Sequence, residues 1–473
     1  MWMMKKSLLF FLCLGFLFTA RAQNKVISED IFNMGSELGI GARAIGLGGA
    51  FTGIADDYSA IYWNPAGLAQ VRRMEMNIGF SHNSFNADAD FLGKLNSSKD
   101  TFTRLNSLGF VFPIPTYRGS LVFGVGYQKV RDYNQALDMG GLVLDPKGTA
   151  FPWYVVPTYD NYQVNPPEIW STLVSDSLFQ SKSVLDDGSA NLFSLSGALE
   201  VQENFFLGAT MNFIGGKINR SFEFSEEDIY NIYSYFDEPT RNMSDLDYWV
   251  YTQDIESEID ATNFKLGLFY RSEKNWRFGA SMTTPTTYKI TESWNWKQSE
   301  YYDTATEAAT LEDAGKQEYK YQEPYSFNAG ASVRLLNVLL SGDLEFKDWT
   351  QAKFKTDGPI EGQYASVLNR AIKKEMKSTT KLRAGAEVYI SPIGMRLRGG
   401  YFLDPTPYVD TSIRPDRTWL SAGASMMLDK QVMLDLTYVH GSWEDKSIDN
   451  LSAAPSMVDR SWNKIIGTVS LRF

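Results

Sequence analysis

From residue 74 to the C-terminus, apolar and polar positions alternate with a period of two. In the last segment Ile465, Gly467, Val469, Leu471 and Phe473 fall on one side, and Lys464, Ile466, Thr468, Ser470 and Arg472 on the other. Val338, Leu340, Gly342, Leu344 and Phe346 alternate with Leu339, Ser341, Asp343, Glu345 and Lys347 in the same way. So do Leu382, Ala384, Ala386, Val388 and Ile390 with Lys381, Arg383, Gly385, Glu387 and Tyr389. A period of two puts one face of a strand in an apolar medium and the other in a polar one. Strands are predicted near 74–84, 104–113, 119–131, 189–201, 204–221, 260–272, 275–292, 323–335, 337–348, 379–390, 393–403, 417–428, 431–441 and 461–473, fourteen in all.

Two architectures share this pattern. A β-sandwich buries the apolar faces and wets the charged ones, whereas a transmembrane barrel turns the apolar faces to lipid and the charged ones to its lumen. The links separate the two. They are short at 113–118, 202–203, 272–274, 336, 391–392 and 429–430, and long after the first strand and at 132–188, 222–259, 293–322, 349–378, 404–416 and 442–460. An up-and-down outer-membrane barrel sorts its links by parity, with tight periplasmic turns and long outer loops. Many of the strands also reach the ~9–11 residues of a tilted crossing. The expected fold is therefore all-β, a fourteen-stranded antiparallel transmembrane β-barrel over residues 72–473.

Composition agrees and removes some alternatives. The formal charge is −11 with no basic block, which argues against nucleic acid as a partner. Aromatics make up 14% of the chain, with 12 Trp and 25 Tyr, a content that favours strands and interfacial anchoring. Residues 1–22 read as a cleaved signal peptide: Lys5 and Lys6 precede an apolar run, and Ala20-Arg21-Ala22 has the form of a cleavage site. The bulky Leu12 before Cys13 argues against lipidation. Beyond the leader there is no cysteine, hence no disulfide or thiolate chemistry. No later apolar run attains the ~18 residues of a spanning helix, so an exported chain of this kind meets a membrane with strands.

Residues 23–71 precede the first strand and have no strand of their own to pair. Their centre, GIGARAIGLGGAFTGIADDYSAIYWNPAGL over 39–68, is too interrupted by glycine for a core helix and too apolar for a free loop. It is expected to fold as a hatch inside the barrel. This string closely resembles the N-terminal hatch of the FadL/TodX family of outer-membrane long-chain fatty-acid and hydrocarbon transporters, in which a Gly-rich segment, Ala-Asp-Asp and Asn-Pro-Ala recur in that order. Further resemblance lies in Lys217-Ile218-Asn219-Arg220, in Trp349-Thr350-Gln351, in the RPDRTWLSAG segment at 414–423 and in Tyr438-Val439-His440-Gly441. The family is a fourteen-stranded barrel, and the aromatic Phe473 resembles the ending by which the barrel-assembly machinery recognises such proteins.

The resemblance implies a passive transporter of hydrophobic small molecules, most of all long-chain fatty acids. Cargo is captured on outer loops, held by its carboxylate in the lumen and released sideways into outer-membrane lipid after the hatch moves. On this chain the capture surface falls on Tyr233, Phe236 and Trp249 of the third loop. The second loop, with Phe151, Trp153, Tyr154, Tyr159, Tyr162 and Trp170, is longer than the family suggests. The carboxylate anchor falls on Arg220, the arginine of the matched Lys-Ile-x-Arg, with Lys373 and Lys374 as a second basic contact. The hatch and gating set comprises Gly48, Gly49, Asp56, Asp57, Asn64, Pro65 and Ala66. Each aromatic has the alternative role of girdle or loop packing, and Arg220 that of a lumenal ion-pair partner.

Enzymatic readings find little support. Gly39-Ile40-Gly41-Ala42-Arg43-Ala44 matches the dinucleotide pattern G-x-G-x-x-[GA], but no buried strand precedes it. The two histidines, His82 and His440, stand far apart without metal-ligand spacing, so neither cofactor nor metal is expected. The competing function is a protein-binding barrel that serves a secretion system as a substrate shuttle, for which long outer loops would suit.

Overall fold

The structure, a computed structural model, describes residues 37–143, 178–231, 236–238, 241–243, 246–302, 309–355, 362–411, 414–447 and 456–473. The expected signal peptide at 1–22 and the aromatics expected in the second loop lie outside the described residues. Among the described residues the strands of the wall form one antiparallel sheet closed on itself, and Phe236–Glu238 and Arg241–Met243 form a separate two-stranded sheet. Counted around the wall, the strands are β1 (Glu75–Phe91), β2 (Lys94–Ile114), β3 (Leu121–Asp132, continued as Gln135–Leu142), β4 (Phe179–Gln202), β5 (Phe205–Glu227) and β6 (Leu246–Arg271). There follow β7 (Trp276–Thr283 and Thr286–Tyr302), β8 (Ala309–Glu323 and Ser326–Leu335), β9 (Val338–Asp348), β10 (Ser378–Ile390) and β11 (Met395–Asp404). The last three are β12 (Arg417–Met427), β13 (Val432–Ser447) and β14 (Ser456–Arg472). Closure is made by β1 and β14, from Glu75 opposite Arg472 to Asp90 opposite Met457.

The faces are inverted relative to a soluble sandwich. Leu420 and Leu436, 61% and 58% exposed, look outward together with Leu195, Phe264, Leu344 and Leu382. Asn83, Asn212, Asn263, Arg398 and Asp435 are buried on the inner side. An apolar exterior closed by a hydrogen-bonded wall suits lipid as the outer solvent, since backbone groups there pair strand to strand. No helix among the described residues is long and apolar enough to cross a membrane.

The strands run further than the alternation signals. The first link, expected to be long, is the turn Leu92-Gly93, where both residues have positive φ, 53° and 79°, the geometry a two-residue hairpin demands. Likewise 222–227 and 246–259 belong to β5 and β6 rather than to a loop. Beyond the lipid both faces of a strand are wet, so the apolar signal fades while the backbone ladder continues.

Three departures from regularity bear on function. The β2–β3 ladder stops at Ser107 opposite Gln128, after which the outer part of β3 leans inward and packs Leu137 and Met139 in a cluster with Phe85 and Phe91. β7 and β8 are both interrupted at one height, at Thr284-Pro285 and Pro324-Tyr325. Between β9 and β10, helix α3 (Gly362–Glu375) sets Ala365, Leu368 and Ile372 in one buried cluster with Tyr319, Tyr321 and Phe354. That spacing places the three on one helix face.

Candidate functional site

Residues 37–71 lie inside the barrel, against the half of the wall nearest the short turns. They form α1 (Ala42–Gly46), α2 (Ala60–Trp63) and a 3-10 turn (Pro65–Gln70). At Gly48 and Gly49 the chain reverses with φ of 64° and 73°, a conformation other residues adopt at a cost. Nearly the whole segment is buried, from Ile40, Leu47 and Phe51 to Trp63, Ala66 and Leu68.

What lets backbone meet backbone here is a set of glycines in the wall. Gly109 of β2 stands opposite Gly126 of β3, Gly208 of β5 opposite Gly267 of β6, Gly279 of β7 opposite Gly330 of β8, and Gly385 of β10 opposite Gly400 of β11. Each pair opens a notch for one piece of hatch. A Cβ on Gly109 would sit 1.7 Å from the Tyr58 ring, on Gly208 2.4 Å from Ala66 N, on Gly279 1.9 Å from Thr52 O, and on Gly400 1.9 Å from Gly48 N. Glycine inside a strand marks close backbone approach. That was the available signal in the sequence, and reading apolar alternation alone passes over it.

Polar contacts complete the seat. Asn64 takes Ala66 N on its Oδ1 at 3.2 Å and donates from Nδ2 to Thr52 O at 3.1 Å and to Leu268 O of β6 at 3.0 Å. Gly48 N donates to Ser421 Oγ at 3.2 Å, and Phe51 N and Thr52 N to Asp343 Oδ2 at 2.9 and 2.7 Å. Arg43 contacts Asp56 at 2.5 Å and Glu387 of β10 at 3.1 Å; Arg277 of β7 reaches Asp56 at 3.0 Å, and Arg398 links Glu387 to Asp435. Asp57 accepts from Ser59 N and Oγ at 2.9 and 2.7 Å.

Burial opposes ionisation of Asp56, but Arg43 and Arg277 outweigh it and hold the carboxyl well below its ordinary value. Burial and the neighbouring Asp56 charge push Asp57 the other way, against the pull of Arg43. Because the seated value of Asp56 lies below that of the free side chain, ~3.9, its contribution is fully present above about pH 4 and is lost as the pH falls from there toward the seated value. Conductance in planar bilayers should therefore climb as the pH falls below about 4. Asp56→Asn should remove that dependence.

Above the hatch lies a cavity of about 90 Å³. Its floor is Glu37, Tyr62 and Trp63, and its apolar wall includes Val130, Leu192, Ile214 and Tyr288. Six charged side chains face it: Glu37, Arg131, Lys265, Glu323, Glu345 and Lys347. Arg131 pairs with Glu323 at 3.1 Å and Glu37 at 3.5 Å, Lys347 with Glu323 at 3.0 Å, and Glu345 with Arg383. Lys265 donates to Tyr62 O at 2.5 Å and lies over the Tyr62 ring, 4.8 Å from its centroid. No carboxylate within salt-bridge distance of it is found among the described residues. Burial raises the energy of the Glu37 carboxylate, yet Arg131 and Lys347 more than offset that, so its pKa is held below the ordinary value.

The expected binding residues lie elsewhere. Arg220 is held by Asp186 through two hydrogen bonds, Nε to Oδ1 at 2.7 Å and Nη2 to Oδ2 at 2.9 Å, and is not among the residues lining the cavity. Lys373 and Lys374 are exposed near the end of α3, opposite its buried face. Trp249 belongs to β6, is 5% exposed and packs on Phe224 and Tyr251, so it is wall rather than loop. Phe236 pairs by its backbone with Met243; Tyr233 lies outside the described residues. Arg131, Lys265 and Lys347 went unselected, although the neighbours of Lys265 mark it. A charge flanked by two lipid-facing residues, as Lys265 is by Phe264 and Leu266, both 48% exposed, has only the lumen to point into.

No protein-family profile matches this chain, and no curated protein matches it in sequence. Solved structures do. The chain is similar to the Pseudomonas putida toluene transporter TodX, with 12% identity over 93% of this chain and 99% of that one and a TM-score of 0.58. It is similar also to a Pseudomonas aeruginosa FadL homologue (13% identity, 90% and 95% covered, TM-score 0.52) and to the Ralstonia pickettii toluene transporter TbuX (15%, 93% and 99%, 0.51). These neighbours are transporters rather than enzymes. Fourteen antiparallel strands, closed between β1 and β14 and matched along nearly their whole length, give this chain the fold of the FadL/TodX transporters.

Proposed function

We propose that this protein is a passive outer-membrane channel for hydrophobic compounds, with long-chain fatty acids as its cargo. The observation that carries the reading is the cavity above the hatch. It joins apolar wall to three cations and three carboxylates, and of the cations Lys265 alone faces it without a carboxylate partner among the described residues. An acyl chain buries roughly 0.8 kcal/mol per methylene on such a wall, while the ammonium receives the carboxylate. The structural neighbours carry toluene and other monoaromatic hydrocarbons, which need no cation; the charge set here favours an acid. Release is lateral, into lipid, with the hatch shifting within its glycine notches. Gly48, Gly49, Asp56, Asp57, Asn64, Pro65 and Ala66 hold that hatch closed.

Binding of oleate and of toluene to the purified protein, followed by tryptophan fluorescence, tests this. Loss of a hydrogen bond to a charged group costs about 1.5–3 kcal/mol, so Lys265→Gln should weaken oleate binding by roughly tenfold or more and leave toluene unchanged. Arg220→Ala, already neutralised by Asp186, should change neither. Equal oleate affinity in wild type and Lys265→Gln would remove the assigned anchor. Normal fatty-acid uptake in a deletion strain with impaired protein secretion would favour the shuttle instead.

A further inference from the structure

Above the apolar band the outer surface of β6, β7 and β8 carries its charges in rungs. Asp260 stands opposite Lys289, and Lys289 directly opposite Lys320. The next member of the rung is Lys355, whose N–H donates to Lys320 O at 2.9 Å. One rung nearer the lipid, Thr287 faces Gln322, and Gln322 faces Lys353 of the short strand Lys353–Phe354. Tyr288, Tyr319, Tyr321 and Phe354 are buried toward the lumen, so the lysines that alternate with them look outward. Lys289 and Lys353 are exposed, Lys320 and Lys355 half-buried.

Four cations thus share two rungs of one outer face. Like charges placed directly opposite in a ladder are destabilising, and the carboxylates at hand do not balance them. Glu318 takes Lys289 at 2.9 Å, on side chains 50% and 40% exposed, and Asp260 borders Lys289 alone. Lys353 and Lys355 have no ion-pair partner among the described residues. Glu258 and Glu256 lie one and two rungs farther out on β6, where Glu256 pairs with Lys217 at 2.7 Å.

The height of the row selects its occupant. The outer edge of the apolar band is marked here by Tyr325 and Phe327 of β8, stacked at 6.0 Å, and by Phe346 of β9 opposite Phe327, all between 43% and 46% exposed. The lysines stand three to five residues beyond Tyr325 along β8; on strands tilted about 40° that is roughly 8–13 Å higher. The polar layer of an ordinary phospholipid leaflet is only ~5–8 Å deep. A phosphorylated sugar headgroup is tall enough to reach the row while its acyl chains lie on the rings of Tyr325, Phe327 and Phe346.

We infer that Lys289, Lys320, Lys353 and Lys355 form a docking site for the phosphate groups of a glycolipid in the outer leaflet. Opposed residues in a ladder have Cβ atoms about 5 Å apart, so ammonium groups from three strands converge on one phosphate, which relieves their repulsion. The site lies on the outside of the barrel and is independent of the cargo that the lumen carries.

Native mass spectrometry of the detergent-purified protein, titrated with bisphosphorylated lipid A, tests the assignment. Each lysine near an anionic lipid contributes about fivefold in affinity, so Lys320→Gln/Lys353→Gln/Lys355→Gln should weaken lipid A binding about a hundredfold. Lys320→Arg/Lys353→Arg/Lys355→Arg should bind as the wild type does. So should Lys274→Gln/Lys430→Gln, which removes two exposed cations at the short turns. Dephosphorylated lipid A and phosphatidylglycerol should bind the wild type roughly tenfold more weakly than lipid A or worse, and inorganic phosphate at equal concentration should not displace it. Heat-modifiable migration on gels confirms that each variant is a folded barrel. Lipid A affinity unchanged in the glutamine variant, or lost equally in the arginine one, overturns the site. Equal binding of phosphatidylglycerol or of dephosphorylated lipid A, or displacement by inorganic phosphate, overturns the phosphorylated glycolipid as its occupant.

Discussion

Gly400→Val is expected to unseat the hatch and leave a conducting pore. A Cβ at this position would lie 1.9 Å from Gly48 N and 2.3 Å from the carbonyl carbon of Leu47. Both are backbone atoms, so no side-chain rotation relieves the clash. Overpacking of a core typically costs about 1–3 kcal/mol. Here the upper end or more applies, because Gly48 is itself confined between Gly400 and the Tyr401 and Ala384 backbones. The barrel has no reason to yield: its ladder on both sides of Gly400 is regular, to Gly385 and to Ser421. The neighbouring Gly399→Val supplies the comparison, since a Cβ there meets only Ser421 O at 3.8 Å. In planar bilayers Gly400→Val should show large, persistent conductance and Gly399→Val the low conductance of the wild type. Both should keep the heat-modifiable migration of a folded barrel on gels. Equal, low conductance in the two variants would show that the glycine notches do not hold the hatch.

Arg43→Met should have the next largest effect. Arg43 is 7% exposed and joins the hatch acid Asp56 to the wall acid Glu387. Removing one partner of a buried ion pair costs about 3–5 kcal/mol, because the remaining charge stays buried without compensation. Asp56 keeps Arg277 and Glu387 keeps Arg398 at 3.5 Å, so the lower end of that range is expected. The result should be a hatch that chymotrypsin cuts, at Phe51, Tyr58, Tyr62 or Trp63, in the otherwise protease-resistant detergent-solubilised protein. Replacing the pair together, Arg43→Met/Glu387→Met, should recover part of the loss, since apolar substitution of a whole buried pair is often near neutral. If the single variant resists chymotrypsin as the wild type does, the ion network is not what secures the hatch.

Much of this architecture is written locally. The alternation over 464–473 or 338–347 needs no partner to be read, because a strand's two faces are set by its own pleat. The parity of short and long links then orders fourteen such strands around a barrel. Even the hatch declares itself, since residues 39–68 are too apolar to stay outside and too rich in glycine to pair. Where both faces of a strand become wet the local signal ends, and so 85–103 and 246–259 gave no hint that they continue as strand.

The identity of the charged residues around the cavity is a different matter. Arg220 stands in a recognisable string, but the register of β4 on β5 places Asp186 directly opposite it, and the two are joined by a pair of hydrogen bonds. Lys265 stands in no motif and becomes an anchor only because closure of the wall brings Tyr62 beneath it and no carboxylate beside it. Arg43 and Glu387 are 344 residues apart in sequence. Period, turns and the tendency to a barrel reside in neighbouring residues; the seat and the cavity come from contacts across the lumen and between strands, which exist only after the circle has closed.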